Sequence, residues 1–119
     1  IPGYGGTQRL PALVGSGLAL EMMTSAQMID ADQAYAAGLV NKVVALDELV
    51  PAACAVGKKI AQNAPGAVAQ ALRAVRAGAG AQPGTPGYDV EKKAFSACFG
   101  TAEFTEGVGA FLAKRTPDF

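Results

Sequence analysis

Histidine and tryptophan are absent from this 119-residue chain, and cysteine occurs only twice. Without His the chain lacks the commonest general base and metal ligand, so neither a Ser-His-Asp triad nor a His-built metal site can be made from it. Cys54 and Cys98 are far apart and fit no zinc or redox spacing. Both fall on apolar helical faces and are expected to be reduced core thiols of a cytoplasmic protein. An excess of charge is missing too. The chain has 10 Lys+Arg against 10 Asp+Glu, whereas nucleic-acid binders carry a basic surplus or stripe, so no nucleic-acid partner is expected. No run approaches the roughly 20 apolar residues that span a bilayer. No basic start leads into an apolar stretch, so neither a membrane partner nor a secretory leader is expected. Ile1 opens the chain without a Met, which reads as a processed, cloned or trimmed piece.

What is present is half hydrophobic and rich in Ala and Gly, with apolar residues at helical rather than alternating spacing. Ile1–Thr7 is a loop by its glycines and proline, and Thr7 is a candidate N-cap for a helix to about Val14. A second helix is predicted from Leu18 to Thr24, and a third from an Asp30 cap to a C-capping Gly38. Leu39–Val44 is the one strand signal. Asp47 is expected to cap a long helix to Gln62, with Leu49, Ala53, Val56 and Ile60 in one stripe. Pro65 starts another helix, with Val68, Leu72 and Val75 inward and Arg73 and Arg76 outward. Gly78–Gly87 predicts a flexible break. Beyond it, Tyr88, Lys92, Phe95 and Phe99 share a face, and Thr101 caps a last helix striped by Phe104, Val108, Phe111 and Leu112. A lone strand leaves its backbone groups unpaired, so Leu39–Val44 is expected to pair outside these residues.

Three constellations could carry chemistry. Gly3-Tyr4-Gly5-Gly6-Thr7 precedes a helix, so it is either a plain turn or a loop that lets a ligand approach the backbone. It is neither a Walker loop nor a complete GxGxxG. Glu21 could serve as a general acid or base, but no second carboxylate sits at a useful spacing, and a solvated surface Glu is the plainer reading. Phe111 with Lys114 and Arg115 could stack on a nucleobase and meet phosphates, against a core Phe beside a solvated basic C-cap. No nucleophile, base and orienting partner come together.

The order of motifs says more. Ile1-Pro2-Gly3-Tyr4-Gly5-Gly6-Thr7-Gln8-Arg9-Leu10 resembles the I-P-G-x-G-G-T-Q-R-L segment of the enoyl-CoA hydratase (crotonase) superfamily. Ala37-Gly38-Leu39-Val40-Asn41-Lys42-Val43-Val44 is similar to its G-L-V-x-x-V-V block. Glu106-Gly107 through Ala110-Phe111 to Lys114-Arg115-Thr116-Pro117-Asp118-Phe119 resembles its ending. Departures include Ser25-Ala26 in place of the common Thr-Gly, and Ala102 after the last helix cap.

The resemblance implies a mainly α fold: the C-terminal helical region of a crotonase-like β-β-α spiral, with one short strand at 39–44. Residues 1–80 would end the core, and 81–119 would form an oligomerisation and CoA-facing segment. The implied activity is hydration of 2-enoyl-CoA thioesters, a hydro-lyase reaction of fatty-acid β-oxidation, in a cytoplasmic trimer or dimer of trimers. Coenzyme A would be part of the substrate, and no separate cofactor or metal is implied. The catalytic glutamate pair would lie upstream, so these residues alone are expected to be inactive. Gly3 would lend its backbone beside the reacting centre and help hold the catalytic water. Phe111 and Lys114 would reach the adenine and phosphate region of CoA from a neighbouring subunit. Two alternatives stay open: a stand-alone helical trimerisation module, and an isomerase or hydrolase on the same fold.

Overall fold

The computed structural model describes residues 1–78 and 86–119. The boundary expected between 80 and 81, and most of the break predicted at Gly78–Gly87, lie outside the described residues. The chain divides into two compact units, Ile1–Leu49 and Val50–Phe119. Both are helical, as expected.

In the first unit, α1 spans Gly6–Val14, α2 Ser16–Ser25 and α3 Ala31–Ala36. A tight turn leads in: the Gly6 N–H donates to the Gly3 carbonyl at 3.0 Å, and Tyr4 (φ 51°) and Gly5 (φ 84°) are both left-handed. Because the turn delivers Gly5 directly to the cap position, α1 starts one residue before Thr7, and Thr7 is helical rather than the cap. Gly15, at φ 82°, ends α1 and begins α2, which leaves the two helices packed with Ala19 fully buried.

Helix α3 is fixed at both ends by short-range chemistry. The Asp30 carboxylate accepts from the Gln33 N–H at 2.8 Å, and the Gln33 side chain accepts from the Asp30 N–H at 2.9 Å. This reciprocal box satisfies two orphan donors at the helix start. At the other end Gly38 is left-handed (φ 74°), and the Leu39 N–H reaches the Ala34 carbonyl at 2.9 Å. Only glycine takes that conformation without a Cβ penalty.

The strand expected at 39–44 does not form: the segment is bend and irregular chain, and no strand exists among the described residues. β-branched composition makes a strand only where a partner takes up its backbone groups, and none is offered here. Asp47 is also displaced from its expected role. It lies inside a single 3-10 turn, Leu46–Glu48, that leads into the next helix without a side-chain cap.

In the second unit, α4 spans Leu49–Ala61 (its first residue closing the other unit), α5 Pro65–Gly78, α6 Pro86–Ser96 and α7 Ala102–Leu112. Helices α5 and α6 lie against each other. A small-residue face with Ala67, Ala71 and Ala74 lies towards α6 residues Ala94 and Phe95, and Ala94 is buried. The expectation of Val68, Leu72 and Val75 pointing inward is corrected in part: Leu72 is exposed, Val75 is exposed at the edge of the groove against α6, and Val68 is half-buried. Close backbone approach favours small residues between α5 and α6, and Leu72 stands outside that groove.

Among the described residues the buried hydrophobic side chains are all alanines: Ala19, Ala34, Ala94 and Ala110. The α4 stripe of Leu49, Val56 and Ile60 is uncovered, and Phe95, Phe99 and Phe104 form an exposed aromatic row with ring centroids 5.0 and 4.9 Å apart. The cysteines therefore do not form a thiol core. Cys54 is exposed on α4, and Cys98 is half-buried with its Sγ donating to the Ala94 carbonyl at 3.4 Å.

Candidate functional site

The Gly-rich entry belongs to the first unit. Gly3 is exposed, and no atom stands within 4 Å of where a Cβ would be, so packing does not demand glycine there. Gly5 is different. Its positive φ favours a bare backbone, whereas the Arg9 guanidinium, 2.9 Å from a hypothetical Cβ, is the mobile end of a side chain. The turn presents the Gly3 backbone at the foot of α1, ahead of a helix start whose dipole favours negative charge.

The Phe/Lys pair belongs to the second unit, at the end of α7. Thr101 caps that helix as expected, its Oγ1 accepting from the Phe104 N–H at 3.1 Å. Phe111 is 82% exposed on the last turn, which rules out the core-Phe reading within this unit. Two residues past the helix, Lys114 takes a left-handed conformation, φ 52°. The Lys114 N–H donates to the Phe111 carbonyl at 3.2 Å, and the Arg115 N–H to the Ala110 carbonyl at 3.0 Å. These two bonds form the helix-ending motif that ordinarily carries Gly at the left-handed position. A Lys there is strained, and such strain persists only where the surroundings over-determine it.

Those surroundings centre on Glu106. Its carboxylate accepts from Arg115 Nη1 at 2.5 Å and Nη2 at 2.8 Å, a forked pair, and from the Asp118 N–H at 2.8 Å. The Arg115 and Asp118 hydrogen bonds lower the Glu106 carboxyl to about 2, and the same pair raises Arg115 above its ordinary value. Phe119 lies over Gly107, its ring 3.5 Å from where a Cβ would stand. Arg115 is thus committed to an internal pair rather than being a solvated C-cap. Lys114 forms no ion pair among the described residues and remains an available cation at the helix end that also carries Phe111.

Phe111 and Lys114 are brought together; Gly3 lies in the other unit. Glu21 is exposed and lines a shallow pocket with Leu18, Met22, Gln27, Ile29 and Gln33, none of them a second carboxylate. Among the described residues no three metal-ligating side chains converge, and no helix is long and apolar enough to cross a membrane. Sequence reading missed two contacts. One is the Glu106–Arg115 fork, whose nine-residue separation is no helical spacing. The other is the Glu103 carboxylate, which accepts from the Gly66 N–H at 3.0 and 3.2 Å. It also missed the left-handed Ala26 (φ 55°) after α2, although the Ser25-Ala26 departure from Thr-Gly was a visible signal.

A family model described as enoyl-CoA hydratase/isomerase matches residues 1–119. The chain is 42% identical over 119 residues to a crotonyl-CoA hydratase of Syntrophomonas wolfei, covering 99% of the chain and 45% of that protein. It is 43% identical over 114 residues to a short-chain-enoyl-CoA hydratase of Clostridium acetobutylicum, covering 96% and 43%. The crystal structure of an enoyl-CoA hydratase from Bacillus anthracis superposes with a TM-score of 0.94 at 41% identity, over 100% of this chain and 46% of that one. The chain spans less than half the length of these two hydratases.

Proposed function

The chain belongs to the enoyl-CoA hydratase/isomerase family, and from that premise we propose that the protein it represents adds water across the double bond of 2-enoyl-CoA thioesters. In this reading the 119 residues supply one wall of the pocket and the grip on coenzyme A. Gly3 offers its backbone beside the reacting centre and helps hold the attacking water. The Phe111 face stacks on adenine, and the Lys114 ammonium meets phosphate. Coenzyme A is part of the substrate, and no further cofactor is called for. The setting we propose is fatty-acid β-oxidation in the cytoplasm, by a trimer or dimer of trimers. Helix α7 of one subunit would serve the pocket of the next.

One observation carries the reading: an exposed aromatic ring and an unpaired cation share one strained helix end, Phe111 and Lys114. A purely structural cap would have used Gly at 114 and a polar residue at 111. The catalytic work is assigned to carboxylates outside these residues, because the described residues bring no two carboxylates together at a pocket. The test is hydration of crotonyl-CoA, followed by loss of its enoyl absorbance. The purified 119-residue chain is expected to leave the absorbance unchanged, and turnover above the buffer rate would contradict the assignment.

A second reading, a stand-alone helical interaction module, draws on the uncovered α4 stripe of Leu49, Val56 and Ile60. It predicts self-association with no affinity for coenzyme A. An isomerase or hydrolase on the same fold would keep the Phe111–Lys114 grip and differ in the carboxylates.

A further inference from the structure

We propose that Glu106 is a positioning residue: by holding Arg115 and the Asp118 backbone it keeps Lys114 left-handed at the Phe111 helix end, and so directs its ammonium towards the phosphate-bearing end of CoA. The ligand half of this inference rests on the proposed contact of Phe111 and Lys114 with CoA; the clamp itself does not.

One carboxylate ties the helix end together. A left-handed Lys has no intrinsic reason to stay so, since the right-handed region is lower in energy for any residue with a Cβ. Two backbone bonds hold it, from Lys114 to Phe111 and from Arg115 to Ala110. Such bonds fray readily at an exposed helix end. The Arg115 side chain resists fraying because its guanidinium is forked onto Glu106, a residue on the body of α7, while its Nη1 also donates to the Thr116 carbonyl at 3.2 Å. The Asp118 N–H ties the tail to the same Glu106 oxygen that Nη1 uses. Residues on both sides of Lys114 are thereby anchored to α7, and its φ has little room to relax. Arg rather than Lys at 115 suits this task, because only a planar fork engages both carboxylate oxygens. The clamp also consumes the neighbouring cation, so a phosphate arriving beside Phe111 meets Lys114 alone.

The experiment compares the full chain with Glu106→Gln and Arg115→Lys, the second keeping both charges in place should the first disturb folding. Two quantities are read: the backbone couplings and carbon shifts of Lys114 by NMR, which follow φ, and the dissociation constant for coenzyme A by calorimetry. Both variants are expected to move Lys114 towards right-handed values and to raise the dissociation constant about fivefold, the size of coupling seen between residues of one network. In a Lys114→Ala background Glu106→Gln should then change CoA binding little. Unchanged Lys114 signals in both variants would overturn the clamp. So would lowered thermal stability with CoA affinity intact, which would leave Glu106 merely structural. Moved Lys114 signals in a chain that binds no coenzyme A at all would uphold the clamp and overturn the CoA reading.

Discussion

The Glu103 carboxylate, in the first turn of α7, accepts from the Gly66 N–H at the start of α5 at 3.0 and 3.2 Å. Residue 64 is an Ala and offers no capping oxygen, so a side chain 37 positions away supplies what the local sequence lacks. A Cβ on Gly66 would stand 2.7 Å from Glu103 Oε2, so the contact depends on glycine at 66.

Replacing Glu103 by Ala should lower the unfolding free energy by about 1 kcal/mol, the usual worth of an N-cap. Gly66→Ala displaces the same carboxylate, though Ala regains helix propensity of up to about 1 kcal/mol. The two substitutions should be non-additive, with Glu103→Ala costing little in the Gly66→Ala background. Denaturant midpoints of the four proteins measure this.

Left-handed non-glycine residues give the next expectation. Ala26 and Lys114 sit at φ 55° and 52°. Replacing either by Gly should stabilise the fold by about 1 kcal/mol, the steric cost of the Cβ. They part company in function. Ala26→Gly should leave coenzyme A affinity untouched, while Lys114→Gly gains stability and loses affinity. Thermal melts with and without coenzyme A distinguish the two.

Acid should release the C-terminal clamp. The Glu106 carboxyl is lowered from its ordinary 4.5 to about 2, so its contribution is complete above 4.5 and is lost as pH falls from there through about 2. Amide exchange or NMR of residues 113–119 should show the tail loosening across that window in the wild type. In Glu106→Gln the tail should already be loose at neutral pH, with no further change across the window.

The uncovered face of α4 bears on assembly. Val56 and Ile60 are 58% and 50% exposed, and apolar faces of this kind mark contact surfaces. If they join copies of this chain, Val56→Asp with Ile60→Lys should reduce the sedimenting mass to that of a monomer while helicity by circular dichroism is kept. A mass unaffected by the charges would assign the contact elsewhere.

Local chemistry was what the sequence made readable. The Asp30 cap, the Gly38 stop and the Thr101 cap each depend on residues within five positions, and all stand where spacing put them, as does the Pro65 start. Thr7 and Asp47 failed as caps because a left-handed turn and a 3-10 turn claimed those helix starts. The strand failed for a non-local reason, since Leu39–Val44 has the composition but no partner ladder among the described residues. Hydrophobic stripes mark which face is apolar and not what covers it, which is why Leu72, expected inward, is exposed. At the candidate site the pairing of Phe111 with Lys114 was legible in the motif. The Glu106–Arg115 fork that holds it was not, because it spans the end of a helix where periodicity no longer applies.

The most direct test of the account is calorimetric titration of coenzyme A onto the chain, wild type against Phe111→Ala and Lys114→Ala. Losing a base stack or a phosphate-paired cation costs about 1–2 kcal/mol, so each variant should bind roughly 5- to 30-fold more weakly, with circular dichroism unchanged. Equal affinity in all three proteins, or none in the wild type, would contradict the assignment of this helix end as the grip on the substrate.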